Sequence, residues 1–177
     1  TLDAMVDRAI GGRGGVVGVV GPPGIGKSRV AREAAALAAG PGAAIAEERA
    51  NYFDDPFLQV TNAIHDCPKQ EGPAITLSEM RTEAHARAER GTRCFQSGRC
   101  RLPNSYLYDK EIIPRAKEAI LFDGRFSDTS ISVLGQRRWV WLKGCVRTPA
   151  QSVALEMLIR SIDDVEAVIN ELGVLKR

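Results

Sequence analysis

The sequence predicts an α/β (α+β) protein assembled from two unlike pieces, and three observations carry that expectation. A glycine-rich loop, Gly21–Ser28, stands between the apolar run Val16–Val20 and an alanine-rich stretch that continues to Ala39. Two strand-like stretches, Ser130–Leu134 and Arg138–Val146, lie close together in the second half. Thr148-Pro149 then opens a helix, a hydroxyl cap followed by a proline whose missing N–H is not needed in a first turn.

Along the chain, residues 2–10 set Leu2, Met5, Val6, Ala9 and Ile10 on one helical face, and Gly11–Gly15 ends it. The strand Val16–Val20, the loop and the alanine-rich helix follow, until Gly40-Pro41-Gly42 stops them; a weak strand is expected at 43–46. This makes 1–48 an incomplete P-loop β-α unit. Residues 49–104 read as a connector with one helix at about 77–90, started by a Thr76/Glu79 capping box and ended near Gly91. From about 105 to 177 the expected order is α-β-β-α-β. A helix covers 110–122, where Pro114 fits only near the first turn. The two strands are joined by Gly135-Gln136-Arg137 as a hairpin turn, and a helix carries Val153, Leu155, Met157, Leu158 and Ile162. Val165–Val174 forms the last strand.

Bulk composition excludes several classes. With 44% hydrophobic residues the chain can bury a core, and a net charge of +2 gives no general case for nucleic acid or membrane. No apolar run approaches the roughly 18 residues needed to cross a bilayer, so no transmembrane segment is expected. Thr1-Leu2-Asp3 shows neither an initiator Met nor a signal region, which reads as a fragment or a processed form, with a cytoplasmic location favoured. Cys67, Cys94, Cys100 and Cys145 allow three pairings. Cys94 and Cys100 could close a small loop around Ser97-Gly98, and free thiols are the equal alternative. No C-x-x-C occurs and His65 and His85 are isolated, which suits zinc poorly. Arg81, Arg87, Arg90, Arg93, Arg99 and Arg101 face only Glu83 and Glu89; a solvated face is the better reading, ahead of an RNA site.

The glycine-rich loop fits G-x-x-x-x-G-K-[ST], and its nucleotide-binding set is Gly21, Gly24, Ile25, Gly26, Lys27 and Ser28. Backbone N–H groups would cradle phosphates, Lys27 would reach the β- and γ-phosphates, and Ser28 would hold Mg²⁺ only together with nucleotide. The cofactor implied is therefore Mg-ATP. Hydrolysis needs a neighbouring strand ending in an Asp, for which Ala119–Asp123 is the best candidate. Yet Ile112, Ile113, Ala116, Ala119 and Ile120 recur at helical spacing straight into it, and Asp123-Gly124 makes a helix exit. Residues 1–48 resemble the opening of AAA/STAND-type ATPase modules of bacterial regulators. If the chain is an enzyme, that resemblance makes it a P-loop ATPase; otherwise the loop reads as an ATP-binding regulatory module.

Alternation along the second strand of the hairpin sets Val140, Leu142, Gly144 and Val146 on one side and Trp139, Trp141, Lys143 and Cys145 on the other. With Arg137 and Arg138, the tryptophan side would join amphipathic aromatics to cations, a combination suited to a lipid headgroup boundary. The same rings could stack on bases, or be covered by residues 51–107 or by a partner protein.

Ile131–Val133, Trp139–Val146, Thr148–Ile162 and Asp164–Val174 together resemble the BON domain, whose pattern includes a V-x-L-x-G-x-V strand and a closing GV-x-x-V-x-N-x-L strand. Asp164 stands where that family often has Gly. The upstream stretch, including Gly98 through Tyr108, is similar to the corresponding part of certain proteobacterial BON-containing proteins. The resemblance implies a non-enzymatic module that associates with phospholipid or envelope surfaces or with partners, and it opens the periplasm as a location. It supplies no catalytic residues, and residue chemistry assigns none. The lipid or partner face is then Arg137, Arg138, Trp139, Trp141 and Lys143.

Overall fold

Residues 48–175 are described by the computed structural model. The nucleotide-binding set expected at Gly21, Gly24, Ile25, Gly26, Lys27 and Ser28 lies outside the described residues, as do the helix and strands expected around it. In chain order the elements are β1 (Arg49–Ala50), β2 (Phe57–Gln59), β3 (Ile75–Thr76), α1 (Leu77–Gln96) and a 3₁₀ turn at Ser105–Tyr108. Then follow α2 (Asp109–Asp123), β4 (Ser130–Gln136), β5 (Trp139–Val146), α3 (Pro149–Arg160) and β6 (Ala167–Val174). From α2 onward this is the expected α-β-β-α-β order.

Local chemistry sets the helix starts. Thr76 Oγ1 accepts the Glu79 N–H at 3.2 Å, and Glu79 Oε2 accepts the Thr76 N–H at 2.8 Å, a reciprocal cap for α1. Thr148 and Gln151 repeat the device on α3, with Pro149 in the first turn. The first cap is followed by a helix longer than expected, which passes through Gly91 to Gln96. At Gly91 the helix lies so close to the 3₁₀ turn that a Cβ would collide with the Asn104 side chain. Close packing, not termination, places the glycine there. α2 continues from the 3₁₀ turn with Pro114 inside it, and Gly124 closes it in the left-handed conformation at φ 72°. Asp123 therefore ends a helix, as its spacing predicts, and not a strand.

Two sheets result. β1 and β3 pair as a short antiparallel ribbon, and a four-stranded sheet runs in the order β2-β4-β5-β6. Only β5 and β6 are parallel, which suits the connection through α3. Ile131, Val133, Val140, Leu142 and Val168 turn one face of this sheet toward Ile112, Ile113, Ala116 and Ile120 of α2 and Leu155 and Ile159 of α3. Each of these aliphatic side chains larger than Ala116, once buried, contributes roughly 1.5–3 kcal/mol in hydrophobic transfer.

The hairpin turn differs from the expectation. Gly135 and Gln136 belong to β4, and the turn is Arg137-Arg138, with φ 58° and 68°. Gly135 is required in the strand, since a Cβ there would lie 2.7 Å from Ile113 Cγ1. β5 accordingly starts at Trp139, and the last strand starts at Ala167 rather than Val165. The segment before α2 also does more than connect. β2 extends the sheet by pairing Phe57 with Leu134 and Gln59 with Ser132. Two disulfides, Cys67–Cys145 and Cys94–Cys100, use all four cysteines.

Candidate binding site

The face of the sheet turned away from α2 and α3 carries Trp139, Trp141, Lys143 and Cys145. Across β4 they stand opposite Gln136, Leu134, Ser132 and Ser130. One end of this face is sealed: Ile64 is buried, its N–H donates to Ser130 Oγ at 2.8 Å, and Cys67 is bonded to Cys145. The other end opens into a cleft of about 790 Å³ bounded by the β1–β3 ribbon, residues 78–90 of α1 and the turn end of the β4–β5 hairpin. Tyr52, Phe53, Tyr106, Trp139 and Trp141 supply its aromatic surface.

Arg87 anchors one wall. Its guanidinium lies between the rings of Phe53, at 4.2 Å, and Tyr106, at 3.8 Å. Its Nη1 donates to Asp55 Oδ2 at 2.9 Å and its Nη2 donates to Oδ1. Asp55, only 5% exposed, also accepts from Gln136 Nε2 at 2.6 Å. A planar, two-pronged cation can stack between rings and still grip a carboxylate edge-on, and the result ties α1, the loop after β1, and β4 into one wall.

The remaining charges of the cleft are mostly spent. Glu83 pairs with Arg90. Glu79 accepts the Thr76 N–H and lies 3.3 Å from Arg49; the Thr76 backbone, more than the arginine, holds its carboxyl below the usual range. Arg137 is different. Among the described residues its side chain has no acidic partner, and its guanidinium rests 4.9 Å from the Trp139 ring. Trp139 and Trp141 are 6.1 Å apart at 35°, as neighbours on one strand face should be. Trp139 Nε1 is shielded from solvent and has no acceptor.

The structure thus gathers Arg137, Trp139 and Trp141 and separates the other two residues of the expected face. Arg138 points to the helical side, where Nε donates to the Asp164 carbonyl at 2.7 Å and the guanidinium stacks 5.1 Å from the Tyr108 ring. Its backbone neighbour Arg137 takes the opposite direction because the two occupy successive turn positions. Lys143 shares the tryptophan face but pairs with Glu171 at 3.3 Å and does not line the cleft. Asp164 has φ 73°, a conformation that favours glycine, which is why glycine is the residue expected at that position. The basic stretch is dispersed: Arg87 pairs with Asp55, Arg90 with Glu83, and Arg101 with Glu111. Sequence reasoning missed Asp55 and Tyr106 and set Arg87 on a solvated basic face, whereas its side chain is largely buried against Asp55.

Among the described residues no group of three or more His, Cys, Asp or Glu is placed to hold a metal, and no helix is long and apolar enough to cross a membrane. Two helices on one face of a mixed sheet, with an aromatic cleft on the other, define a small α+β module. Residues 108–176 match the model of the BON domain family. The matched stretch is less than half of the chain and begins at the end of the 3₁₀ turn. It extends over neither 51–104 nor 1–48, so the resemblances of those segments gain no support from it. Comparisons with curated proteins and with solved structures gave no match.

Proposed function

We propose that the chain is a non-enzymatic binding module that associates with anionic phospholipid surfaces through the end of the sheet where Arg137, Trp139 and Trp141 meet. One observation carries the reading: an unpaired cation is stacked beside two half-buried indoles at the mouth of a cleft. Indoles favour the boundary between headgroup and acyl chain, and a guanidinium there meets phosphate. The BON match supports the same class of role.

The test is flotation of the full chain with vesicles of phosphatidylglycerol and phosphatidylcholine. Wild-type protein should float, and less so as salt rises. Arg137→Gln and Trp141→Ala should each reduce the floated fraction, while Arg93→Gln, on an exposed part of α1, should not. Wild-type protein that stays in the dense fraction on anionic vesicles would sink the proposal, and capture of a protein partner without lipid would replace it.

A further inference from the structure

We infer that the cleft takes up single molecules of an amphipathic anion, a phosphate, sulfonate or carboxylate attached to a flat or extended apolar body. This rests on the binding reading above and names the ligand class of the same site. Three observations converge on it.

First, the charges lining the cleft are three acids and three arginines: Asp55, Glu79 and Glu83 against Arg87, Arg90 and Arg137. Every acid already has its cation, and Arg87 and Arg90 are consumed by Asp55 and Glu83. Arg137 is left over, so the uncompensated charge of the cleft is positive and sits at one place. Second, the indole N–H of Trp139 belongs to the ring on which Arg137 rests, and it has no acceptor. A donor shielded from solvent and without a partner gains from an acceptor that meets it once the indole shifts toward the cleft, and an anion held by Arg137 brings oxygen atoms to that ring. Third, the surface beyond this corner is aromatic, with Tyr52 and Trp141 on the lining. A volume of about 790 Å³ accommodates a drug-sized body and not merely an inorganic ion. A bare phosphate would gain the charge contact and lose the stacking; a neutral aromatic would gain the reverse. Only a ligand with both ends uses the whole site.

The experiment titrates the full chain with 1-anilinonaphthalene-8-sulfonate, dihexanoyl phosphatidic acid below its micelle concentration, and inorganic phosphate, reading tryptophan fluorescence and calorimetric stoichiometry. The two amphiphiles should bind once per chain and compete with each other, and phosphate should not displace them. Arg137→Gln should weaken both by about tenfold, and Trp139→Phe, which keeps the ring but removes the donor, by severalfold. Arg93→Gln should bind like wild type. Thermal unfolding of each variant checks that the fold is retained, and Trp141→Phe serves as a second variant should Trp139→Phe unfold. Binding at many sites per chain, or unchanged affinity in Arg137→Gln, overturns the inference. The two proposals fail separately. Flotation that survives while one-to-one binding is absent removes the pocket and keeps the surface. One-to-one binding of the sulfonate without flotation assigns the pocket to a free small molecule.

Discussion

Asp109 Oδ1 accepts the backbone N–H of Arg138 at 2.8 Å, and Oδ2 accepts that of Arg137 at 2.6 Å. A carboxylate at the start of α2 thus holds both left-handed residues of a hairpin turn that begins 28 positions later. The turn has no glycine, asparagine or aspartate to favour that conformation locally. Its stability comes from across the core.

Asp109 is 1% exposed, and burial, the largest influence, raises its carboxyl to about 7; the nearby Asp55 adds to the rise, while the two N–H donors and Arg87 oppose it. The folded chain therefore binds a proton that the unfolded chain releases. Its contribution to stability is whole below about pH 4 and fades as the pH climbs through 7. The melting temperature should fall between pH 5 and pH 8, and Asp109→Asn should flatten that slope in calorimetry. Asp109→Ala, which orphans two N–H groups, should cost about 2–4 kcal/mol in denaturant unfolding.

Gly144 has φ 113°, and a Cβ there would strike the Ser130 carbonyl oxygen on the neighbouring strand. Gly144→Ala should cost about 3 kcal/mol or more, from backbone strain and from displacement of β4. Gly98, at φ 71° with open space around it, gives the contrast. Gly98→Ala should cost about 1 kcal/mol, and urea midpoints would separate the two.

The two disulfides should differ in weight. Cys67–Cys145 closes a loop of 78 residues and Cys94–Cys100 a loop of 6. Loop-closure entropy predicts about 4 kcal/mol for the first and about 2 kcal/mol for the second. Cys67→Ser with Cys145→Ser should thus lower the melting temperature more than Cys94→Ser with Cys100→Ser. Equal losses would contradict the assignment of Cys67–Cys145 as the main covalent tie.

Arg87→Lys keeps the charge but loses both the two-pronged bond to Asp55 and the stack between Phe53 and Tyr106. The change should cost about 1–3 kcal/mol in equilibrium unfolding. An unchanged midpoint would mean that this wall of the cleft stands without the pair.

Elements with local signatures were legible in the sequence. The Thr76/Glu79 and Thr148/Pro149 caps marked both helix starts, and period-two alternation placed Val140, Leu142 and Val146 in the core. What depended on distant partners was not. Gly135 looked like a turn residue because its true reason, the Ile113 side chain, is 22 positions away. β2 has three residues, too few for any alternation to register, and its partner lies more than seventy positions on. For the site, the indoles and Arg137 could be read from strand alternation, but Arg138 could not be excluded without the turn geometry. The Arg87–Asp55 wall joins an expected helix to a loop of no periodicity 32 positions earlier, so the sequence did not pair the two.

The outer position of β2 bears on how the chain can be divided. A piece trimmed to the matched stretch from Tyr108 would lose that strand, bare the backbone of β4 along one side and leave Cys145 with a lone thiol. Such a bare edge recruits another copy of itself, and the thiol can lock the pair covalently. The self-sufficient unit is therefore wider than the stretch that matches the family model, and the extra length works as a guard against unwanted company.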